Sequence, residues 1–135
     1  MMRVIVVLIL LTLCGGLLAI DQVVADFMQV VSDIDSLAAQ CDSADTPEKQ
    51  ARILFAYDKL MFRLHDCSVE LARVYPDYKG ENRPEGMLTD EEVRERIVPA
   101  VVKIMCVGMD NLEHPFVAEA YRKIERNKDK YNADE

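Results

Sequence analysis

Between Thr46 and Pro76 the chain reads TPEKQARILFAYDKLMFRLHDCSVELARVYP, and this stretch decides the fold. Its apolar positions Ile53, Tyr57, Leu60, Leu64, Cys67, Leu71 and Val74 are separated alternately by four and three residues. That repeat stacks the side chains on a single helical face, which can leave water while the residues between them stay solvated. Thr46-Pro47-Glu48 supplies a start. The Thr hydroxyl can accept from an orphan backbone N–H, Pro is tolerated at the first helical position, and Glu suits the positive end of the dipole. No Gly or Pro follows before Pro76. The spacing predicts one helix from Pro47 to Tyr75, roughly 43 Å long at 1.5 Å per residue. Phe55 and Phe62 lie seven apart on a different face, as expected if two neighbours pack on this helix.

The same repeat precedes it. Ile20, Val24, Phe27, Val31, Ile34, Ala38 and Cys41 form a second seam, and Asp42 to Asp45 read as a polar turn. Two consecutive helices with matched seams pack side by side. Downstream, residues 76–88 hold two Pro and two Gly and form the one long loop. Thr89-Asp90-Glu91-Glu92 is a capping box that opens a third helix. Its seam is Val93, Ile97, Ala100, Ile104 and Val107, with Val98, Val102, Cys106 and Met109 beside it. Pro99 is expected to kink or divide this helix. From Ala100 to Met109 only Lys103 is polar, so this half is expected to be the most buried element. The pattern breaks from Gly108 to His114, and Pro115 starts a last helix with Phe116, Val117, Ala120, Tyr121 and Ile124 facing inward. Phe27, Tyr57, Phe116 and Tyr121 are expected in the core. The fold class is all-α, a small four-helix bundle with a kinked third helix.

The first residues read as a sorting signal. Met1-Met2-Arg3 carries one positive charge, and Val4 to Leu13 is an unbroken apolar run. The stretch to Ile20 sits at the short limit for a membrane span and is interrupted by Gly15 and Gly16, which favours a cleaved secretory signal. Residues 1–19 are the expected signal, with cleavage after Ala25 as the alternative, and 20–135 form a single secreted, extracellular domain. Without Arg3 the chain keeps 15 basic residues against 24 acidic ones. Such a surface repels nucleic acid and anionic membranes, so neither is an expected partner.

Cys14 leaves with the signal, and Cys41, Cys67 and Cys106 remain in an oxidising compartment. In an antiparallel first pair Cys67 stands roughly 30 Å along the helix from Cys41, beyond the reach of a disulfide. The third helix runs back toward the turn. The expected staple is therefore Cys41–Cys106, ahead of Cys67–Cys106. The spare thiol, Cys67, admits a disulfide-linked homodimer.

No spacing here carries catalysis or metal binding. There is no phosphate loop, no His-Glu-x-x-His and no nucleophile elbow, and the cysteines lack zinc spacing. His65 and Ser68 share a helix side but have no aligned carboxylate, and His114 reads as a cap residue. A non-enzyme without cofactor or metal is expected. In the long loop, Tyr78, Lys79, Glu81, Arg83 and Glu85 are the expected partner-binding residues.

The helix Phe27–Cys41, the turn at Thr46-Pro47, the long helix Ile53–Val74 holding Cys67 and the Cys106 segment together resemble the anophensin/albicin family, small salivary proteins of blood-feeding mosquitoes. The resemblance implies inhibition of a host plasma cascade by protein–protein binding. One family activity stabilises and blocks the alternative-pathway C3 convertase of complement. The other interferes with contact-phase kallikrein–kinin activation through factor XII and kininogen. A second expectation, from the additional apolar side chains Phe55, Met61, Phe62 and Met105, is a secreted carrier of a small hydrophobic ligand.

Overall fold

A computed structural model describes residues 22–76, 84 and 86–132, and all regular structure among them is helical. Helix α1 covers 22–40, α2 Pro47–Val74, α3 Asp90–Cys106 and α4 Pro115–Tyr131. Short 3-10 turns, Cys41–Ser43 and Met109–Asn111, sit at two of the corners. The expected signal, residues 1–19, and most of the expected long loop lie outside the described residues. No helix among the described residues is long and apolar enough to cross a membrane.

Each described helix start has a local cause. Thr46 Oγ1 accepts from the Lys49 N–H at 3.2 Å. The Thr89 hydroxyl accepts from the Glu92 N–H at 3.1 Å while Glu92 Oε1 accepts from the Thr89 N–H at 3.4 Å, so both halves of the capping box form. His114 Nδ1 accepts from the Phe116 N–H at 3.3 Å and caps α4.

Cross-helix contacts fix an up-down-up-down order. Arg63 pairs with Asp33 at 3.0 Å and sets α2 antiparallel to α1. Arg96 pairs with Asp35 at 2.7 Å and Lys103 with Asp42 at 2.8 Å, so α3 runs parallel to α1. Asn127 donates to Asp58, and Tyr131 meets Phe62 edge to face at 5.3 Å, so α4 runs alongside α2 in the same direction. Packing of α4 against α2 accounts for the second apolar face that Phe55 and Phe62 mark.

The core has two parts. The larger joins Val30, Ile34 and Leu37 of α1 with Leu54, Tyr57 and Met61 of α2, Ile104 of α3 and Val117, Ala120 and Ile124 of α4. The smaller joins Val24, Phe27 and Val31 to Leu71 and Met87 at the opposite end.

Two expectations about the apolar positions need correction, the burial of α3 and the place of Phe116. At Pro99, expected to kink or divide the helix, α3 is not divided and is one helix through it. Pro99 and Glu95 are both exposed, so the Glu95 carbonyl that loses its N–H partner is open to water. The second half of α3 is not the most buried element, because only Ala100 and Ile104 of α3 are buried. At 100° per residue, Val98 and Val102 stand across the helix from Ala100 and Ile104 rather than beside them, and both face solvent, as does Met109 in the 3-10 turn that follows. Phe116 is 56% exposed and lies outside the core, whereas Val117 beside it is fully buried.

Candidate functional site

Of the residues expected to bind a partner, Tyr78, Lys79, Glu81, Arg83 and Glu85 lie outside the described residues. The segments on either side are tied down. Tyr75 and Met87 both pack into the smaller core cluster, and Pro84 is buried. Gly86 has φ +83°, a left-handed conformation that costs glycine little and other residues more.

In this structure Cys41, Cys67 and Cys106 are all free thiols, and the expected Cys41–Cys106 staple is not present. The sequence argument placed the two segments correctly, since Lys103 and Asp42 join them at 2.8 Å. The Cys41 thiol, however, donates back to the Leu37 carbonyl at 3.6 Å, and Cys106 sits on the exposed side of α3. Burial pushes the Cys41 thiol above its ordinary value, against a smaller opposing pull from Lys103. Cys67, expected as the spare thiol, is half-buried at a hollow of about 210 Å³ whose wall carries Asp26, Asp66 and Glu70. Burial raises the Cys67 thiol too, and the negative charge of Asp26 adds to it. Cys106 is therefore the most accessible of the three.

Of the two histidines, His114 has structural work. His114 caps α4 and lies 3.7 Å from Glu48, while His65 is half-buried on α2. Among the described residues no group of His, Cys, Asp and Glu is arranged to hold a metal ion.

Two surface features remain. The first is an apolar row on the outside of α3 and the corner after it. Val98, Val102, Met109, Leu112 and Phe116 are each at least half exposed. The corner is held rigidly. Tyr121 Oη donates to the Met105 carbonyl at 2.7 Å and accepts from the Gly108 N–H at 3.1 Å, pinning the end of α3 onto α4. Acidic residues rim the row, with Glu95 and Glu91 one and two turns upstream of Val98, and Asp110 and Glu113 next in sequence to Met109 and Leu112. Sequence reasoning missed this row by judging α3 on composition. Glu91 and Glu95 share its helical phase and signal that it faces water.

The second feature is a groove of about 460 Å³ between the end of α1 and the start of α2. Leu37, Ile53 and Ala56 line it on the apolar side, with Gln40, Lys49 and Arg52 as polar neighbours.

Comparison of the chain with protein-family models, curated proteins and solved structures finds no match.

Proposed function

We propose that this chain is a secreted, non-enzymatic binding protein that inhibits a host plasma cascade by covering a partner protein with the outer row of α3 and the α3–α4 corner. The observation that carries the reading is the set Val98, Val102, Met109, Leu112 and Phe116, five large apolar side chains at least half exposed and rimmed by carboxylates. Exposed apolar side chains grouped in this way mark contact surfaces. Here the acidic rim calls for a partner whose apolar site is ringed by Lys and Arg. The likeness of the helix order to the anophensin/albicin family narrows the candidates to the alternative-pathway C3 convertase, factor XII and kininogen. Tyr78, Lys79, Glu81, Arg83 and Glu85 are proposed as a second contact region.

Surface-immobilised chain is tested against purified C3 convertase, factor XII and kininogen, beside assays of complement lysis and factor XII activation. One of the three binds, the corresponding assay is inhibited, and Val98→Lys with Val102→Lys weakens binding at least tenfold. Failure to bind any of them, or equal binding by the double variant, overturns the proposal. Alanine at the five loop positions separates the two contact regions.

The Cys41–Cys106 staple belongs to the same proposal. Outside the cell a disulfide oxidant such as oxidised glutathione takes two hydrogens from the thiol pair, and the sulfurs join. The Lys103–Asp42 pair, which joins the two segments at 2.8 Å, supports it. Peptide mapping after oxidation yields a Cys41–Cys106 peptide. Glutathione retained on Cys106 with Cys41 free refutes the pairing.

A further inference from the structure

The groove between α1 and α2 faces a different side of the molecule's chemistry from the row on α3, and its lining is amphipathic. Leu37 and Ile53 are buried side chains whose remaining surface forms its floor, extended by Ala56. Small alanine at that point leaves the floor open where a larger side chain would fill it. Lys49 and Arg52 stand three residues apart on α2, so both occupy the same edge of the groove. Two adjacent cations are notable in a chain of net charge −8. Lys49 is already joined to Asp45 at 2.9 Å. Arg52 makes no ion pair among the described residues and offers its guanidinium to an incoming anion.

We propose that this groove is a binding site for a small amphipathic carboxylate, with Arg52 holding the head group and the Leu37–Ile53–Ala56 floor taking the alkyl chain. A guanidinium presents two parallel N–H groups that match a carboxylate, a geometry an ammonium lacks. The edge from Arg52 to Ala56 is roughly 6 Å of helix, room for about five carbons of an extended chain, with the rest of a longer tail running past it. Each methylene withdrawn from water adds to the affinity, so the tail supplies most of it and the head group supplies its sign preference. A short anion such as acetate gains only the head contact, and a cationic amphiphile meets Lys49 and Arg52 unfavourably. The site is independent of the α3 row, so it stands or falls separately from the inhibitor reading.

The test is an amide NMR titration of the folded protein with decanoate, with decylamine, decanol and acetate run in parallel. Decanoate shifts the amides of Gln40, Lys49, Arg52 and Ala56 saturably, and it binds at least tenfold more tightly than decylamine or acetate. Arg52→Gln weakens decanoate at least fivefold, Arg52→Lys restores part of the loss, and Ala56→Leu blocks the groove. The Arg52 side chain is exposed, so its replacement leaves the helices intact, which the same spectra verify. Absence of saturable shifts, shifts confined to Val98 and Val102, equal binding of decylamine, or decanoate affinity unchanged by Arg52→Gln each overturn the assignment.

Discussion

Asn127→Ala is expected to destabilise the protein more than its surface-like residue type implies. Asp58 is 1% exposed, and its only hydrogen-bond partner among the described residues is the Asn127 amide. Asn127 Nδ2 lies 3.0 Å from Oδ2 and 3.3 Å from Oδ1, so one nitrogen serves both carboxyl oxygens. No Lys or Arg among the described residues comes within ion-pair distance of Asp58. Removing the amide leaves the carboxyl group dry and unpartnered. A hydrogen bond to a charged group contributes about 1.5–3 kcal/mol net, and stranding a buried polar group adds its desolvation cost. The expected loss is about 2–4 kcal/mol. Asp58→Asn keeps an amide–amide hydrogen bond and removes the buried charge, so it is expected to fall within about 1 kcal/mol of the parent. Asp58→Leu combined with Asn127→Leu removes both polar groups together and is expected to cost less than Asn127→Ala alone. Urea unfolding at neutral pH under reducing conditions, followed by far-UV circular dichroism, gives all four values. An Asn127→Ala loss below about 0.5 kcal/mol at unchanged m-value, or an Asp58→Asn loss equal to it, refutes the reasoning.

Gly108→Ala would place a methyl group 2.7 Å from Val117 Cγ1 and 3.1 Å from Tyr121 Cε2, and the fully buried Val117 cannot yield. The expected cost is about 1–3 kcal/mol, read as a fall in the urea midpoint. Tyr121→Phe removes the hydroxyl that joins Met105 and Gly108, with an expected loss of about 1–2 kcal/mol in the same assay. Burial raises the Cys41 and Cys67 thiols above 9.0 and the Tyr57 and Tyr121 phenols above 10.0. These groups hold their protons more tightly folded than unfolded, so their contribution is complete below about pH 9 and is lost as pH climbs through the raised values. Thermal unfolding midpoints should therefore fall on alkaline titration, and a flat profile from pH 8 to about 11 contradicts this. In alkylation with iodoacetamide, exposed Cys106 should be modified first, with Cys41 and Cys67 following more slowly. Mass-mapped modification of Cys67 ahead of Cys106 would contradict the assigned burial.

The helices were legible because their determinants are local. The seam of α1 reads off as buried Val24, Phe27, Val31, Ile34 and Ala38, and that of α2 as buried Ile53, Tyr57, Leu60 and Leu71. Thr46 and Thr89 mark starts through hydrogen bonds that span three residues, and His114 before Pro115 through one that spans two. Burial on α3 was not legible from composition, since Val102 and Ile104 are chemically alike and two residues apart, yet one is exposed and the other fully buried. Their difference is a rotation about the helix axis, set by where α1 lies. On α4 Val117 was legible as buried, but Phe116 beside it was not legible as exposed, because the turn Met109–Asn111 fixes the phase of α4 and no sequence repeat crosses it. The cysteine pairing depends on a finer scale than the helix order. Helix order brings the segments of Cys41 and Cys106 together, but side-chain direction decides whether sulfurs meet.

The attachment of α3 has a consequence for motion. Only Ala100 and Ile104 anchor it in full burial, and Arg96–Asp35 and Lys103–Asp42 are exposed pairs worth up to about 1 kcal/mol each, weakened further by salt. Deuterium should enter α3 ahead of α2, and sooner still at high ionic strength. The part of α3 that displays Val98 is thus the looser arm of a latch, hinged where Tyr121 holds Met105 and Gly108.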